Sequence, residues 1–282
     1  MPTVAYLGPE KTNTHLAALK RFGQKAKYLH APMVEDVFQM VEQEKADFGV
    51  VPIENSLEGA VTHTLDRFIG AQDSPVRICG EIELPIQHYL ITVPGVPLRE
   101  IQSVFSHPQA LAQCRFWLRR KLQRVRLVET SSTSDAVSLL RHGVFGLGED
   151  YHSRAAIGRI ELARQRRLKA TRIPQERENK TRFLVIGLKK PKLGRRNKTS
   201  VVFALKDKPG ALHDALMPFK RNRINMTKIE SRPSKQKAWE YLFFVDLAGA
   251  ESDPSVRKAL GALQRSTSGM RVLGSYPVGS RS

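Results

Sequence analysis

The apolar positions of the first 70 residues form short runs separated by amphipathic segments. The runs Thr3–Leu7 and Ala46–Ile53 predict buried strands, whereas a segment that starts at Thr12 or Thr14 and another over about Val34–Glu44 predict helices. Strands that alternate with helices in this way are typical of βαβ units. We therefore predict an α/β domain built on a parallel sheet with helices on both faces.

An extended stretch over residues 76–93 interrupts this alternation and predicts a crossing into a second lobe. The alternating pattern then resumes, with strands at Ser103–Phe105, Val125–Val128 and Ala155–Gly158. A helix that starts at Ser106–Gln109 and extends to Arg120, and another over Asp135–Arg141, are predicted between them. The uninterrupted apolar run Phe183–Gly187 predicts a strand that is covered on both faces in a parallel sheet. This strand would return the chain to the first lobe.

The C-terminal part of the chain has the order βαββαβ, which is typical of a ferredoxin-like domain. Its predicted elements are strand Ser200–Leu205, helix Gly210–Arg221, strands Asn225–Glu230 and Glu240–Leu247, helix Pro254–Gln264 and strand Met270–Tyr276. The predicted domains are lobe 1 at about 1–77 and 168–190, lobe 2 at about 78–167, a basic linker at 191–198 and the C-terminal domain at 199–282.

Positive charge is concentrated in one part of the chain. Residues 154–198 contribute a net charge of +13 to a total of +19. Three interpretations are open: steering of a multivalent anion, nucleic-acid binding, or a solvated basic face. Nucleic-acid binding is not favoured, because the stretch lacks interleaved aromatic residues.

Composition narrows the class of protein further. No apolar run approaches the roughly 18 residues of a membrane span, and no signal peptide is visible. Cys79 and Cys114 have no paired spacing, which predicts buried thiols in a reducing, cytoplasmic compartment. The eight His residues form no metal-binding motif, so we expect no metal site.

Small polar residues follow several predicted strands or precede predicted helices. Ligands of open α/β sheets bind at the carboxyl ends of strands, and helix N-termini favour anions. Helix capping explains each residue taken alone, but the set predicts a cleft that binds carboxylates. The candidates are Thr12, Thr14, Asn55, Ser56, His107, Gln109, Ser132 and Thr133.

Thr181 and Arg182 lie where the Phe183–Gly187 strand begins. A hydroxyl proton donor beside a guanidinium suits an anionic substrate. Taken alone, the pair is explained as well by the β-propensity of threonine and a solvated arginine.

Four stretches, read in order, resemble the prephenate dehydratase family. They are Tyr6–Glu10, Val51–Gly59, Ser106–Leu111 and Asn179–Gly187. The C-terminal domain resembles the regulatory ACT domain of that family, so the resemblance covers nearly the whole chain. It implies a two-lobed catalytic domain, similar in fold to type II periplasmic binding proteins, with the active site between the lobes.

The resemblance also implies the chemistry. Prephenate would lose CO2 and hydroxide to give phenylpyruvate, a step of phenylalanine biosynthesis that needs no cofactor. The family's essential threonine corresponds to Thr181, which would donate a proton to the departing hydroxide. Arg182 and the polar residues of the predicted cleft would hold the two carboxylates of prephenate.

The two effector-binding motifs of the family also have counterparts. They correspond to Gly210, Ala211, Leu212 and His213, and to Glu230, Ser231, Arg232 and Pro233. The resemblance therefore implies feedback inhibition by L-phenylalanine, and a homodimer or homotetramer assembled through ACT domains.

Some positions depart from the family pattern. Lys11 stands in place of a glycine, Asn13 in place of an aromatic residue, and Gln175 in place of an acidic one. Arg159 replaces a small residue and His213 an apolar one. Lys11 would either obstruct its loop or add a contact to a carboxylate.

Two further functions are open at this point. An arogenate dehydratase would carry out the same elimination on the amino-acid form of the substrate. A non-catalytic phenylalanine sensor would keep the fold without the activity, although an intact Thr181 argues against it.

Overall fold

The computed structural model describes residues 1–70, 74–140, 153–175, 178–234 and 240–279. The chain divides into two compact units. Unit 1 comprises Met1–Leu84 and Lys180–Ser282, and unit 2 comprises Pro85–Asn179. Unit 1 contains both the first sheet and the whole C-terminal domain.

The first sheet of unit 1 has six strands. They are β1 (Thr3–Leu7), β2 (Lys27–Ala31), β3 (Phe48–Asn55), β4 (Gly59–Ala60), β5 (Arg77–Pro85) and β11 (Lys180–Gly187), with helices α1 (Asn13–Phe22), α2 (Val34–Glu42) and α3 (Thr62–Gly70). The order across the sheet is β2-β1-β3-β11-β5, and β4 pairs with β3. Strand β1 runs parallel to β2 and β3, whereas β11 runs antiparallel to β3.

Helix α2 illustrates how the sequence pattern fixes these elements. Val34, Val37, Phe38 and Val41 are all buried, at the i, i+3, i+4 and i+7 positions that share one helix face. They pack with sheet residues such as Ile186 in one hydrophobic core. The spacing of apolar residues therefore dictates which face of the helix contacts the sheet.

Unit 2 has its own five-stranded sheet. Its strands are β6 (Tyr89–Thr92), β7 (Ser103–Ser106), β8 (Arg126–Glu129), β9 (Arg154–Gly158) and β10 (Lys169–Arg172), and its helices are α4 (Pro108–Gln113), α5 (Arg115–Lys121), α6 (Thr133–Ser138) and α7 (Ile160–Gln165). The order is β10-β6-β9-β7-β8. Strands β8 and β9 run parallel to β7, so their carboxyl ends share one edge of the sheet.

The C-terminal domain has the predicted βαββαβ order. Its elements are β12 (Asn197–Ala204), α8 (Ala211–Arg221), β13 (Met226–Pro233), β14 (Tyr241–Ala248), α9 (Pro254–Ser266) and β15 (Gly269–Pro277). The antiparallel sheet has the order β13-β14-β12-β15. The helices cover one face, and on the other face Val202, Phe244, Leu273 and Tyr276 join the core of the first sheet.

The predicted fold class is confirmed, but the structure corrects its details. Strand β5 belongs to the first sheet and β10, which was not predicted, to the second, so unit 2 spans 85–179 rather than 78–167. Strand β11 is buried as predicted but pairs antiparallel with β3. The helix predicted to reach Arg120 divides at Cys114 into α4 and α5. The predicted helix end at Arg141 lies outside the described residues.

Both cysteines are buried free thiols, as predicted. Burial raises the pKa of Cys79 to about 11 and that of Cys114 to about 12. Across the described part of the chain, every helix is too short or too polar to cross a bilayer.

Candidate active site

Thr181 lies at the polar start of β11 and faces Asn55 across the ladder to β3. The Asn55 Nδ2 amide donates a hydrogen bond of 2.9 Å to Thr181 Oγ1. The other end of the amide is fixed as well, because Asn55 Oδ1 accepts hydrogen bonds from the backbone N–H groups of Leu57 and Glu58 at 2.9 and 3.2 Å. An amide held in this way presents its donor to the threonine, so the hydroxyl keeps its own proton for donation.

Ser56 reinforces the same ladder. Its backbone N–H donates to the Lys180 carbonyl at 2.8 Å, and its Oγ accepts from the Lys180 N–H at 2.9 Å. The structure therefore gives Ser56 a backbone contact that fixes the residue next to Thr181. Its predicted contact with substrate stays a prediction.

Thr12 caps helix α1, as the sequence pattern predicts. Its Oγ1 accepts from the His15 N–H at 3.3 Å. Lys11, immediately before it, has a φ of 67°, in the left-handed region that favours glycine. The Lys11 N–H donates to His15 Nδ1 at 2.9 Å, and the His15 ring stacks on Tyr6. The lysine therefore adopts the backbone conformation that the family's glycine would adopt without strain.

In unit 2, the candidates also lie at helix starts. His107 caps α4, where its Nδ1 accepts from the Gln109 N–H at 3.3 Å. Ser132 caps α6, where its Oγ accepts from the Asp135 N–H at 3.0 Å, and Thr133 is the first residue of that helix. Both helix starts follow parallel strands, β7 and β8, at the same sheet edge. Unit 2 thus brings these four predicted residues to one edge.

Arg182 lies at the start of β11, as predicted, but its guanidinium is engaged by carboxylates of the protein. Its guanidinium forms ion pairs with Asp246 at 2.7 Å, Glu54 at 3.1 Å and Glu81 at 3.2 Å. Its side chain is 11% exposed. Consecutive strand residues point to opposite faces, so Arg182 faces the C-terminal domain from the face of β11 that Thr181 does not share. Three protein carboxylates occupy this guanidinium, which contradicts its predicted role in holding substrate.

The ion pairs of Arg182 belong to a buried polar network. Lys198 Nζ lies 2.9 Å from Glu81 Oε2, and Ser200 Oγ donates to Asp246 Oδ1 at 2.6 Å. Ser200 also shares a hydrogen bond of 2.8 Å with the Tyr276 hydroxyl. Burial raises the pKa of Tyr276 well above its usual value. For Arg182, burial lowers the pKa, but the carboxylates around it together raise it by more. The arginine therefore stays charged.

One signal in the sequence was missed in unit 2. Asn179, which opens the Asn179–Gly187 motif, is 2% exposed, and its Nδ2 donates to Gln113 Oε1 at 2.9 Å. The same oxygen lies 2.7 Å from His88 Nε2. The polar half of the motif therefore contains a buried anchor as well as Thr181. An asparagine beside an apolar strand was the available clue.

The predicted effector residues divide into two groups. Gly210, with a φ of 77°, and Ala211, Leu212 and His213 line a pocket of about 670 Å³ together with Tyr241. Among the described residues, the Glu230–Pro233 group does not line that pocket. It lies on β13, at the edge of the C-terminal sheet.

Arg232 also forms an ion pair with a carboxylate of the protein. Its Nη2 lies 3.1 and 3.3 Å from the two carboxylate oxygens of Asp66 on α3. This ion pair engages the Arg232 guanidinium, while the predicted contact of the Glu230–Pro233 segment with an effector stays a prediction.

Comparisons with known proteins agree with this architecture. Residues 4–191 match the family model of prephenate dehydratase, and residues 199–265 match that of the ACT domain. The chain is 44% identical over 275 residues to a bifunctional chorismate mutase/prephenate dehydratase of Aquifex aeolicus, an alignment that covers 97% of this chain and 73% of the relative. It is 41% identical over 250 residues to the prephenate dehydratase of Methanocaldococcus jannaschii, covering 87% and 86%.

A solved structure gives the same result. The prephenate dehydratase of Arthrobacter aurescens in complex with L-Phe matches with a TM-score of 0.85 and 34% identity, over 98% of this chain and 90% of that one. With its two matching family models in this order, the chain belongs to the prephenate dehydratase family and carries a C-terminal ACT domain.

Proposed function

We propose that this protein converts prephenate to phenylpyruvate, with Thr181 as the proton donor. The single observation that carries the proposal is the hydrogen bond from Asn55 Nδ2 to Thr181 Oγ1. It leaves the threonine proton available for a leaving hydroxide. Family membership and the names of the relatives favour prephenate over arogenate as the substrate.

The reaction balances without a cofactor. The bond between the ring and its carboxylate breaks, and CO2 leaves. That electron pair forms a ring double bond, and the electrons of the ring shift to expel the hydroxyl group. The Thr181 proton converts the departing hydroxide to water, and solvent restores the proton on the threonine. Threonine is a weak acid, so positioning and local fields supply most of the rate.

We propose that the other candidate residues bind the two carboxylates of the substrate. These proposed ligands are Thr12, Asn55 and Ser56 of unit 1, and His107, Gln109, Ser132 and Thr133 of unit 2. Arg182 is withdrawn from this set because three carboxylates of the protein surround it.

A direct assay tests the proposal. Purified protein is given prephenate and arogenate in parallel, and phenylpyruvate and phenylalanine are measured as the respective products. We expect the rate with prephenate to exceed the rate with arogenate by at least about tenfold, or roughly 1.4 kcal/mol in the barrier. Equal rates, or a preference for arogenate, would reject the assigned substrate.

We also propose that L-phenylalanine inhibits the enzyme through the ACT domain. Gly210–His213, which line the pocket, supply one half of the site. Glu230, Ser231, Arg232 and Pro233 supply the other half from a second copy of the chain. The exposed edge residue Ile229, at 45% exposure, supports pairing through β13. The proposed enzyme is a homodimer or homotetramer, and its proposed location is the cytoplasm.

Light scattering of the full chain tests the oligomeric state, and calorimetric titration tests the binding of phenylalanine. A monomer would refute the proposed assembly, and a titration without heat of binding would refute the proposed effector site.

A further inference from the structure

Strands β3 and β11 present two adjacent cross-strand pairs on opposite faces. Asn55 faces Thr181 in one pair, and Glu54 faces Arg182 in the next. Because side chains alternate along a strand, the first pair lies on the catalytic face and the second on the face toward the ACT sheet. The residue that orients the catalytic threonine is thus a direct neighbour of a residue that contacts the regulatory domain.

Glu54 is shared between two cations. Its Oε2 lies 3.1 Å from Arg182 Nη2, and its Oε1 lies 3.2 Å from Lys228 Nζ. The Lys228 side chain is only 8% exposed. The Glu54 side chain is 36% exposed, so the lysine is the buried partner of this ion pair. The pair is sensitive to small displacements because the lysine charge would remain desolvated if the two separated.

Lys228 lies on β13, the strand that also carries the Glu230–Pro233 effector segment. Two residues of β13 form ion pairs with elements of the first sheet and its helices: Lys228 pairs with Glu54 on β3, and Arg232 pairs with Asp66 on α3. The strand that would sense the effector is therefore tied by one ion pair to the sheet that holds Thr181 and by another to helix α3.

We propose that Lys228, Glu54 and Arg182 form a relay that couples effector binding on β13 to the orientation of Thr181. This inference rests on the proposed function, and it makes Glu54 a positioning residue. A shift of β13 moves Lys228 relative to the Glu54 carboxylate. The displacement of Glu54 changes the backbone that presents Asn55, and hence the hydrogen bond to Thr181 Oγ1. Coupling of this kind changes the affinity or rate at a distant site by about 5- to 150-fold.

The test compares two buried lysines of the same interface. Lys228→Met removes the ion pair with Glu54 and the longer one, at 3.9 Å, with Glu230 Oε2, but keeps the apolar stem of the side chain. The matched control is Lys198→Met, because Lys198 is 13% exposed and pairs with Glu81 from β12, which carries no effector residue. For each protein, phenylpyruvate formation from prephenate is measured without phenylalanine and with saturating phenylalanine, and calorimetry measures phenylalanine binding.

We expect phenylalanine to inhibit the wild-type protein and the Lys198→Met variant to a similar degree. Lys228→Met should bind phenylalanine, keep kcat/KM within about threefold in its absence, and lose at least tenfold of the inhibition. Glu54→Gln should lose inhibition as well, and should also lower kcat more than it changes KM. The double variant Lys228→Met/Glu54→Gln should lose no more inhibition than either single variant, because each substitution interrupts the same relay.

Two results would overturn the relay: a Lys228→Met variant that is inhibited like the wild type, or a Lys198→Met variant that loses inhibition to the same extent. A wild-type protein that forms no phenylpyruvate would instead refute the proposed function. The two failures are thus separated by the wild-type measurement.

Discussion

At the scale of single residues, the local environment decides which predicted roles are plausible. Asn55 and Thr181, which are 126 positions apart in the chain, are brought to 2.9 Å. Arg182, one position from Thr181, is engaged by Asp246, which only the folded C-terminal domain brings close. Sequence reasoning selected Asn55, Thr181 and Arg182 but not Asp246, because the pairing of Asp246 with Arg182 is fixed by tertiary contacts and not by a local pattern.

The orientation of the Asn55 amide gives a prediction for kcat. Asn55→Ala removes the donor to Thr181 Oγ1 and should lower kcat about tenfold. Asn55→Asp should lower kcat further, by roughly a hundredfold, because an ionised carboxylate accepts the threonine proton instead of leaving it for the substrate. Steady-state kinetics on both variants checks the order. A more active aspartate variant would show that the amide does not act as a donor.

Backbone strain at Lys11 gives a prediction for stability. A left-handed conformation costs a non-glycine residue about 1–2 kcal/mol, and glycine adds an entropic cost of roughly 0.5–1 kcal/mol. Lys11→Gly should therefore raise the free energy of unfolding by up to about 1 kcal/mol. The control Lys25→Gly lies in a turn without positive φ and should be neutral or destabilising. Thermal unfolding measures both, and a destabilised Lys11→Gly would mean that the lysine side chain contributes more than the strain costs.

At the scale of elements, apolar periodicity predicts most helices and strands but not their neighbours. The six elements of the ACT domain follow the sequence within a few residues. The direction of β11 was not predictable in this way, because a strand buried on both faces has the same pattern in parallel and antiparallel pairing. Strand β10 was missed because Lys169–Arg172 is short and mostly polar.

The buried network between β11 and the ACT sheet predicts a large stability effect. Arg182→Leu leaves the carboxylates of Glu81 and Asp246 without this cation and should lower the free energy of unfolding by about 3–5 kcal/mol. Arg67→Leu, which breaks the half-buried pair with Glu42, should cost less, roughly 1 kcal/mol. Denaturant unfolding compares the two. If Arg182→Leu raised only KM and left stability unchanged, the original assignment of Arg182 to substrate binding would be restored.

At the scale of the whole molecule, the positive net charge of the chain should increase the rate at which it encounters a dianionic substrate. The net charge of +19 includes +13 in residues 154–198, which contain β11 and the linker before the ACT domain. Charges about a Debye length away, ~10 Å at 0.1 M salt, still attract an approaching anion. Several of these cations form internal ion pairs, such as Arg182 and Lys198, so the exposed remainder supplies the attraction.

Salt dependence tests this steering. Between low ionic strength and about 0.5 M salt, kcat/KM for prephenate should fall severalfold while kcat changes little, since screening acts on encounter and not on the bound complex. Steady-state kinetics in NaCl and in potassium acetate separates screening from competition by a particular anion. A kcat/KM that is independent of salt would show that the basic segment is only a solvated face.

The central claim is that Thr181 donates the proton that lets hydroxide leave prephenate. The most direct measurement is the rate of phenylpyruvate formation by the wild-type, Thr181→Ala and Thr181→Ser proteins over a range of prephenate concentrations. A general acid contributes about 10²–10⁴-fold, so kcat of the alanine variant should fall by that factor with KM changed much less, and serine should restore a substantial part of the rate. A Thr181→Ala enzyme whose kcat stays within about threefold of the wild type would contradict the account.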